Sequence, residues 1–201
     1  MNVLAIVTAA VVSSTIIASG LTAQAPERQD PSVKSTRWEL VVPGGAIVPT
    51  GAQRDAIKRG NLTAIQLTYI ARPALAITST MGWARSRDIA TVGDPKLDVF
   101  TYDVGAELRS PRWAAAKTYS FSTFAGAGAG GRSYNYRKLD VDATHNLAAY
   151  GSVGGELGIR RVRVRLEARD YLSGFKPLSG EGTVRTGNDV VVMAGLRFVS
   201  R

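Results

Sequence analysis

The sequence has no cysteine, and its only histidine is His145. A disulfide scaffold is therefore excluded, and so is a lipid anchor on an N-terminal cysteine, while export is left open because an oxidising compartment permits disulfides without requiring them. Charge is missing from one region: the first 25 residues hold no Lys, Arg, Asp or Glu. From residue 37 onward there is almost no helical period of 3.6 residues, which argues against a helical domain.

The charge-free start reads as a signal for export. An apolar stretch over residues 3–18 leads to Ala23, Gln24 and Ala25, a small-x-small triplet that suits a signal peptidase and places cleavage after Ala25. Only the terminal amine supplies the positive n-region. A membrane-spanning anchor is the competing reading, but Ser13, Ser14, Thr15 and Ser19 dilute the run before it reaches the ~20 apolar residues that a span needs. Residues 26–36 are polar and form a short leader, and residues 37–201 make up the domain. The formal net charge of +9 lies wholly beyond the leader signal. Such a balance suits nucleic acid or an anionic lipid surface, and export leaves the lipid surface as the better partner and nucleic acid as the poor one.

What is present is alternation with a period of two. Arg161, Arg163, Arg165, Glu167 and Arg169 are charged, while Val162, Val164, Leu166 and Ala168 between them are apolar. Only a strand sends successive side chains to opposite faces in this way. Eight such segments are expected, over residues 38–48, 62–70, 75–85, 97–108, 118–129, 146–159, 161–172 and 189–199. Each is near the ~9–11 residues of a tilted strand that crosses a bilayer. The connections alternate between short (71–74, 109–117, 158–161) and long polar stretches (49–61, 86–96, 130–145, 173–188). That alternation predicts an all-β, eight-stranded antiparallel up-and-down barrel in a bacterial outer membrane, with short turns and both termini periplasmic.

A soluble barrel of the lipocalin type also alternates its loops, but its apolar face points inward. Here the other arrangement is expected. Phe100, Tyr102, Val104, Ala106 and Leu108 share one face, against Thr101, Asp103, Gly105 and Glu107. The small and charged faces cannot form a dry core. Turned into a narrow lumen they can pair, and an eight-stranded lumen is just wide enough for side chains to fill. The expected lumen network is Glu39, Asp103, Glu107, Glu156 and Glu167 with Arg163, Arg165, Arg169 and Arg197. A tight hairpin near Gly158 sets Glu156 opposite Arg163 and Leu157 opposite Val162, and Glu39 is expected to meet Arg197. Trp38, Tyr69, Trp83, Tyr119, Tyr171 and Phe198 fall near strand ends, where an aromatic girdle belongs.

Several stretches resemble a known family: Trp38-Glu39 leading to Val48-Pro49-Thr50-Gly51, then Gly82-Trp83-Ala84-Arg85, then Arg165-Leu166-Glu167-Ala168-Arg169-Asp170-Tyr171, and Gly195-Leu196-Arg197-Phe198. They look like the small outer-membrane β-barrels of the OmpA/OmpX-like and OmpW-like group, across residues 37–199. The resemblance implies the barrel, and a final strand read by the outer-membrane assembly machinery, while function varies widely on this fold. It also implies the choices: a non-enzymatic, monomeric envelope protein, a narrow channel for small or hydrophobic compounds, or a lipid-A-modifying barrel enzyme.

Enzyme chemistry finds little support in the residues. His145 is followed by Ser152 as the nearest later serine, with no partner geometry in view, so it reads as a rim residue. The Gly/Ala run over residues 125–131 lacks the following helix that a phosphate loop needs, and reads as small residues relieving crowding near the rim, with flexible loop beyond. No cofactor or metal site is expected. Arg72, Arg109, Arg112, Lys117, Arg160 and Arg161 fall in the short turns without an acid among them. Arg54, Lys58, Arg59, Arg87, Arg132, Arg137 and Lys138 fall in the long loops, where lipopolysaccharide phosphates are the natural partners, diluted by Asp55, Asp88, Asp94, Asp140 and Asp142.

Overall fold

A computed structural model describes residues 37–116, 118–159, 162–176, 178 and 185–198. The expected signal segment and leader (1–36), the residues between the eighth and ninth strands (160–161) and the final residues (199–201) lie outside the described residues. So does Lys117.

Ten strands follow one another: β1 Trp38–Val41, β2 Gly44–Thr50, β3 Gly60–Arg72, β4 Leu75–Arg87, β5 Lys96–Arg109, β6 Trp113–Ala116, β7 Tyr119–Tyr136, β8 Thr144–Ile159, β9 Val162–Phe175 and β10 Arg185–Phe198. All their pairings are antiparallel. β1 and β2 are one strand interrupted at Pro43, which has no N–H to give to a ladder. That strand pairs with β3 on one side and with β10 on the other, so the sheet closes on itself. β6 is a four-residue side hairpin on β7. The ring therefore has eight strands.

The stagger of the closure follows from the register. From Val48 the partners run to Val190, Asp170, Gly151, Ala127, Ala106, Ile77 and Tyr69, and return to the first strand at Trp38. The path comes back ten residues below its start, so the shear is ten. With strands ~4.8 Å apart and a rise of ~3.3 Å per residue, this stagger tilts the strands by about 40°.

The two faces sort as the alternation requires. Met81 is 65% exposed and Leu108 66%, whereas Asp103 is 6% and Arg165 4%. Apolar side chains cover the exterior, and polar ones fill the interior. The two expected loops at the open end are shorter than the sequence suggested. β7 continues seven residues beyond Ala129 to Tyr136, and β9 continues to Phe175. The stretch beyond the Gly/Ala run is thus paired strand, and the run lies well inside β7. Within it Gly126, Gly128 and Gly130 face the interior, while Ala125, Ala127 and Ala129 face out. The interior glycines make room for bulk from the facing wall: a Cβ on Gly128 would meet the Tyr150 ring at 2.5 Å.

Candidate functional site: a charge-filled barrel interior

The interior is built from the inward positions of seven strands, and its chemistry changes along the axis. Nearest the short turns, Glu39 from β1 accepts from Arg197 and, at 3.0 Å, from Arg109 Nη1. Arg109 Nε reaches Glu107 at 2.6 Å. Arg197 Nη2 reaches Glu156 at 2.8 Å, and Arg163 lies 3.7 Å from the same carboxylate. One step inward, Arg165 is the hub: its guanidinium binds Glu156 at 3.2 Å, Glu167 at 2.9 Å and Glu107. Next comes Arg169, with Glu167 at 2.6 Å, Asp103 at 2.8 Å and Thr80 at 3.0 Å. Tyr171 donates to Asp103 at 2.7 Å. The chain of contacts from Glu39 to Asp103 is unbroken.

Above it stands a separate pair, Arg132 with Asp189, both wholly buried. Arg132 also lies 4.3 Å over the Tyr171 ring, Arg169 4.6 Å over Tyr150, and Arg165 3.7 Å over Phe124. Each guanidinium thus rests on an aromatic face as well as on carboxylates, which suits its flat, delocalised charge. Among the described residues, six buried or half-buried arginines (Arg109, Arg132, Arg163, Arg165, Arg169, Arg197) face six carboxylates (Glu39, Asp103, Glu107, Glu156, Glu167, Asp189). This network is electrically neutral, which is what a narrow, poorly solvated space demands of its charges.

Toward the long loops the interior turns apolar. Ile47, Ile57, Leu97, Val99, Tyr134, Tyr136 and Phe175 pack together. A short 3-10 turn, Gly51–Asp55, folds the β2–β3 loop into the mouth, where Gln53 donates to Tyr134 at 3.3 Å. Asp88 is buried there too and accepts from Tyr136 at 2.8 Å and from the backbone of Ala90 and Thr91.

All nine residues expected in the lumen network are there, with five corrections around them. Glu156 stands opposite Arg165, and Leu157 opposite Val164, while Gly158 takes Arg163; the hairpin turn comes after Ile159, later than Gly158, so the register moves by two and every side chain keeps its face. Tyr171, expected in the girdle, is 3% exposed inside the barrel. It shares the odd-numbered face of Arg165 and Arg169, so strand parity overrides its nearness to a strand end. Arg132, expected on an outer loop, is buried because β7 runs past it. Arg109, expected in a turn, is the last inward position of β5. Asp88 likewise faces the mouth and no loop surface.

Four of the other girdle residues, Trp38, Tyr69, Trp83 and Tyr119, lie on the exterior. Trp38 and Tyr69 sit with ring centroids 4.9 Å apart at the short-turn end, the end that also carries the exposed Tyr119 and Trp113. Trp83 stacks with Phe100 at 6.5 Å toward the loop end. Phe198 pairs through its backbone with Val162, and its side chain lies outside the described residues. His145 is on the exterior, 3.5 Å from Tyr102 through Nδ1, and Ser152 is inside the barrel, on the opposite face. Sequence reasoning missed the Arg132–Asp189 pair and the apolar plug at the mouth. The parity of β7 and β10 would have exposed the pair had β7 been drawn to its full length; the plug depends on a loop folding inward, for which the sequence carries no periodic signal.

No family model matches this chain. Nor does any curated protein match it. Solved structures do. Neisserial surface protein A matches with a TM-score of 0.54 and 11% identity, over 81% of this chain and 97% of that one. Ail, the attachment invasion locus protein of Yersinia pestis, matches with a TM-score of 0.43 and 10% identity, over 80% and 96%. The N-terminal β-barrel domain of Pseudomonas aeruginosa OprF follows at 0.42 and 10%, over 82% and 98%. At these identities the likeness concerns the fold, and the fold is that of the small eight-stranded outer-membrane β-barrels.

Proposed function

We propose that the chain is a non-enzymatic, monomeric protein of the bacterial outer membrane, with both termini periplasmic and the long loops outside. Its barrel serves as a filled body that contributes to envelope integrity or surface interaction, and does not serve as a channel. The observation that carries this reading is the interior: six paired guanidiniums and six carboxylates run along the axis and an apolar plug closes the loop end. A hydrated ion path would need those pairs to open together, and separating one buried pair costs about 3–5 kcal/mol. The exterior supports the membrane part, since aliphatic side chains as exposed as Leu40, Met81, Val104 and Leu108 need lipid to cover them. Trp38, Tyr69, Trp83 and Tyr119 mark its two edges as an aromatic girdle.

A channel for small hydrophobic compounds would need an apolar interior section open to the exterior. The apolar section here is sealed by Ile57, which is 1% exposed, and by Gln53. The expected result is migration that changes on boiling, as for a barrel folded in detergent, and no swelling of protein-containing vesicles in iso-osmotic sugars. Recovery from the soluble periplasm with unchanged migration would end the membrane reading; rapid swelling would end the closed-lumen reading alone.

A further inference from the structure

The interior pairs cancel one another, so the chain's surplus positive charge lies outside that network, and one part of it is concentrated. On the outer face at the loop end, β4 carries Arg85 and Arg87 and β5 carries Lys96, while Arg137 and Lys138 follow directly on β7. Arg87 stands directly opposite Lys96 in the ladder, and the Arg137 N–H donates to the Lys96 carbonyl at 2.9 Å. Like charges placed opposite each other on neighbouring strands repel. Both side chains are exposed, and no hydrogen bond or ion pair holds either one among the described residues. Two carboxylates are near: Asp98 stands opposite Arg85 and pairs with Arg137 at 3.2 Å, and Asp94 sits in the β4–β5 loop. Asp140, two residues after Lys138 in the β7–β8 loop, adds a third, and the five cations still outnumber the acids.

The row is also well placed. Arg85 lies 4.3 Å over the Trp83 ring, which stacks on Phe100, so the cations begin where the aromatic edge of the apolar band ends. Arg87 is four residues beyond Trp83, about 10 Å higher along a tilted strand. Arg87, Lys96, Arg137 and Lys138 line an open groove of about 540 Å³ between the β4–β5 and β7–β8 loops. Asp94 and Lys138 are the two non-glycine residues with positive φ, 45° and 67°, among the described residues, and both line that groove. Strained backbone of this kind gathers at binding sites.

We propose that this shelf binds the phosphate groups of phosphorylated glycolipid in the outer leaflet. It rests on the membrane reading above. A lipid is the complementary occupant because the shelf is continuous with the apolar band: phosphate meets the cations while the acyl chains lie against Trp83, Phe100 and the aliphatic wall below. A free anion would gain nothing from that continuity. Arginine offers the planar fork that suits a phosphate, and lysine a point charge beside it.

The experiment places the protein in phosphatidylcholine vesicles doped with bis-phosphorylated lipid A, extracts it in mild detergent, and measures the lipid A carried per protein. Wild type retains lipid A and loses it at high salt, and does not retain lipid A stripped of its phosphates. The double variant R87Q/K96Q, which touches no ion pair, binds roughly thirtyfold more weakly. Lys138→Asn tolerates the left-handed backbone while removing a charge, and weakens binding in the same direction. Equal retention by R87Q/K96Q with normal heat-modifiable migration overturns the proposal. So does displacement of lipid A by equimolar inorganic phosphate, which would make this a site for the free ion, or binding of a sulphated polysaccharide in place of lipid A. Failure of wild type to insert in the vesicles overturns the membrane reading, and the shelf with it.

Discussion

At the scale of single residues, the interior shows how differently two buried arginines can be held. Arg165 touches three carboxylates and one aromatic face. Arg132 touches one carboxylate and one ring, and among the described residues its Nε and Nη2 as well as Asp189 Oδ1 are buried without partners. A pair so incompletely satisfied contributes little net stability, although breaking it strands a charge. Arg132→Met alone is therefore expected to lower stability by about 3–5 kcal/mol, whereas R132M/D189L returns to within about 1 kcal/mol of wild type. Urea unfolding from lipid vesicles measures both. A double variant as unstable as the single one would show that the pair does more than neutralise itself. The charges of this pair were visible in the sequence, but their meeting was not: 57 positions separate them, and only closure of the sheet brings β7 and β10 to opposite walls of one lumen.

At the scale of the strand, alternation is obeyed almost everywhere, and the exception is informative. Asp170 occupies an outward position of β9, between Gly151 and Val190 on the neighbouring strands, and its Oδ1 is buried without a hydrogen-bond partner among the described residues. A carboxylate on a lipid-facing wall is unfavourable, less so than a basic group at the same depth. Asp170→Val is expected to stabilise the barrel in vesicles by on the order of 1 kcal/mol, read as a higher urea midpoint. A lower midpoint would mean that Asp170 has a favourable partner in the membrane. Nothing in the structure explains why an acid stands there. The remaining strand faces were legible from the sequence because a period of two survives errors in strand length: moving an end by several residues, as in β7, changes no side chain's face. Register was less legible, since a shift of two at the β8–β9 turn keeps every face and changes every neighbour.

At the scale of the molecule, strand number and stagger set tilt and width together. Eight strands with a shear of ten give a tilt of about 40°, and polarised infrared spectroscopy of oriented bilayers containing the protein is expected to find that angle. A tilt nearer the membrane normal would mean a smaller stagger, and the pairings that line up Glu39 with Arg197 and Arg109 would not form. Because the six interior arginines and six carboxylates cancel, the protein's surplus positive charge lies outside that network; salt screens exposed cations such as Arg87 and Lys96, whereas the interior pairs are shielded from it.

The sequence by itself determined that this chain forms strands, that aliphatic and aromatic side chains occupy one face and Arg, Glu and Asp the other, and that the charged face turns inward. The physical reason is local: strand geometry sorts neighbours by parity, and composition tells which face water or lipid can accept. Tertiary structure decided the rest. Which carboxylate meets which guanidinium, that Tyr171 and Arg132 lie inside, that Asp88 and Ile57 close the mouth, and that Arg87 faces Lys96 all depend on register and closure. Those are set by the turns and by the ten-residue stagger of the whole ring, which no stretch of sequence records on its own.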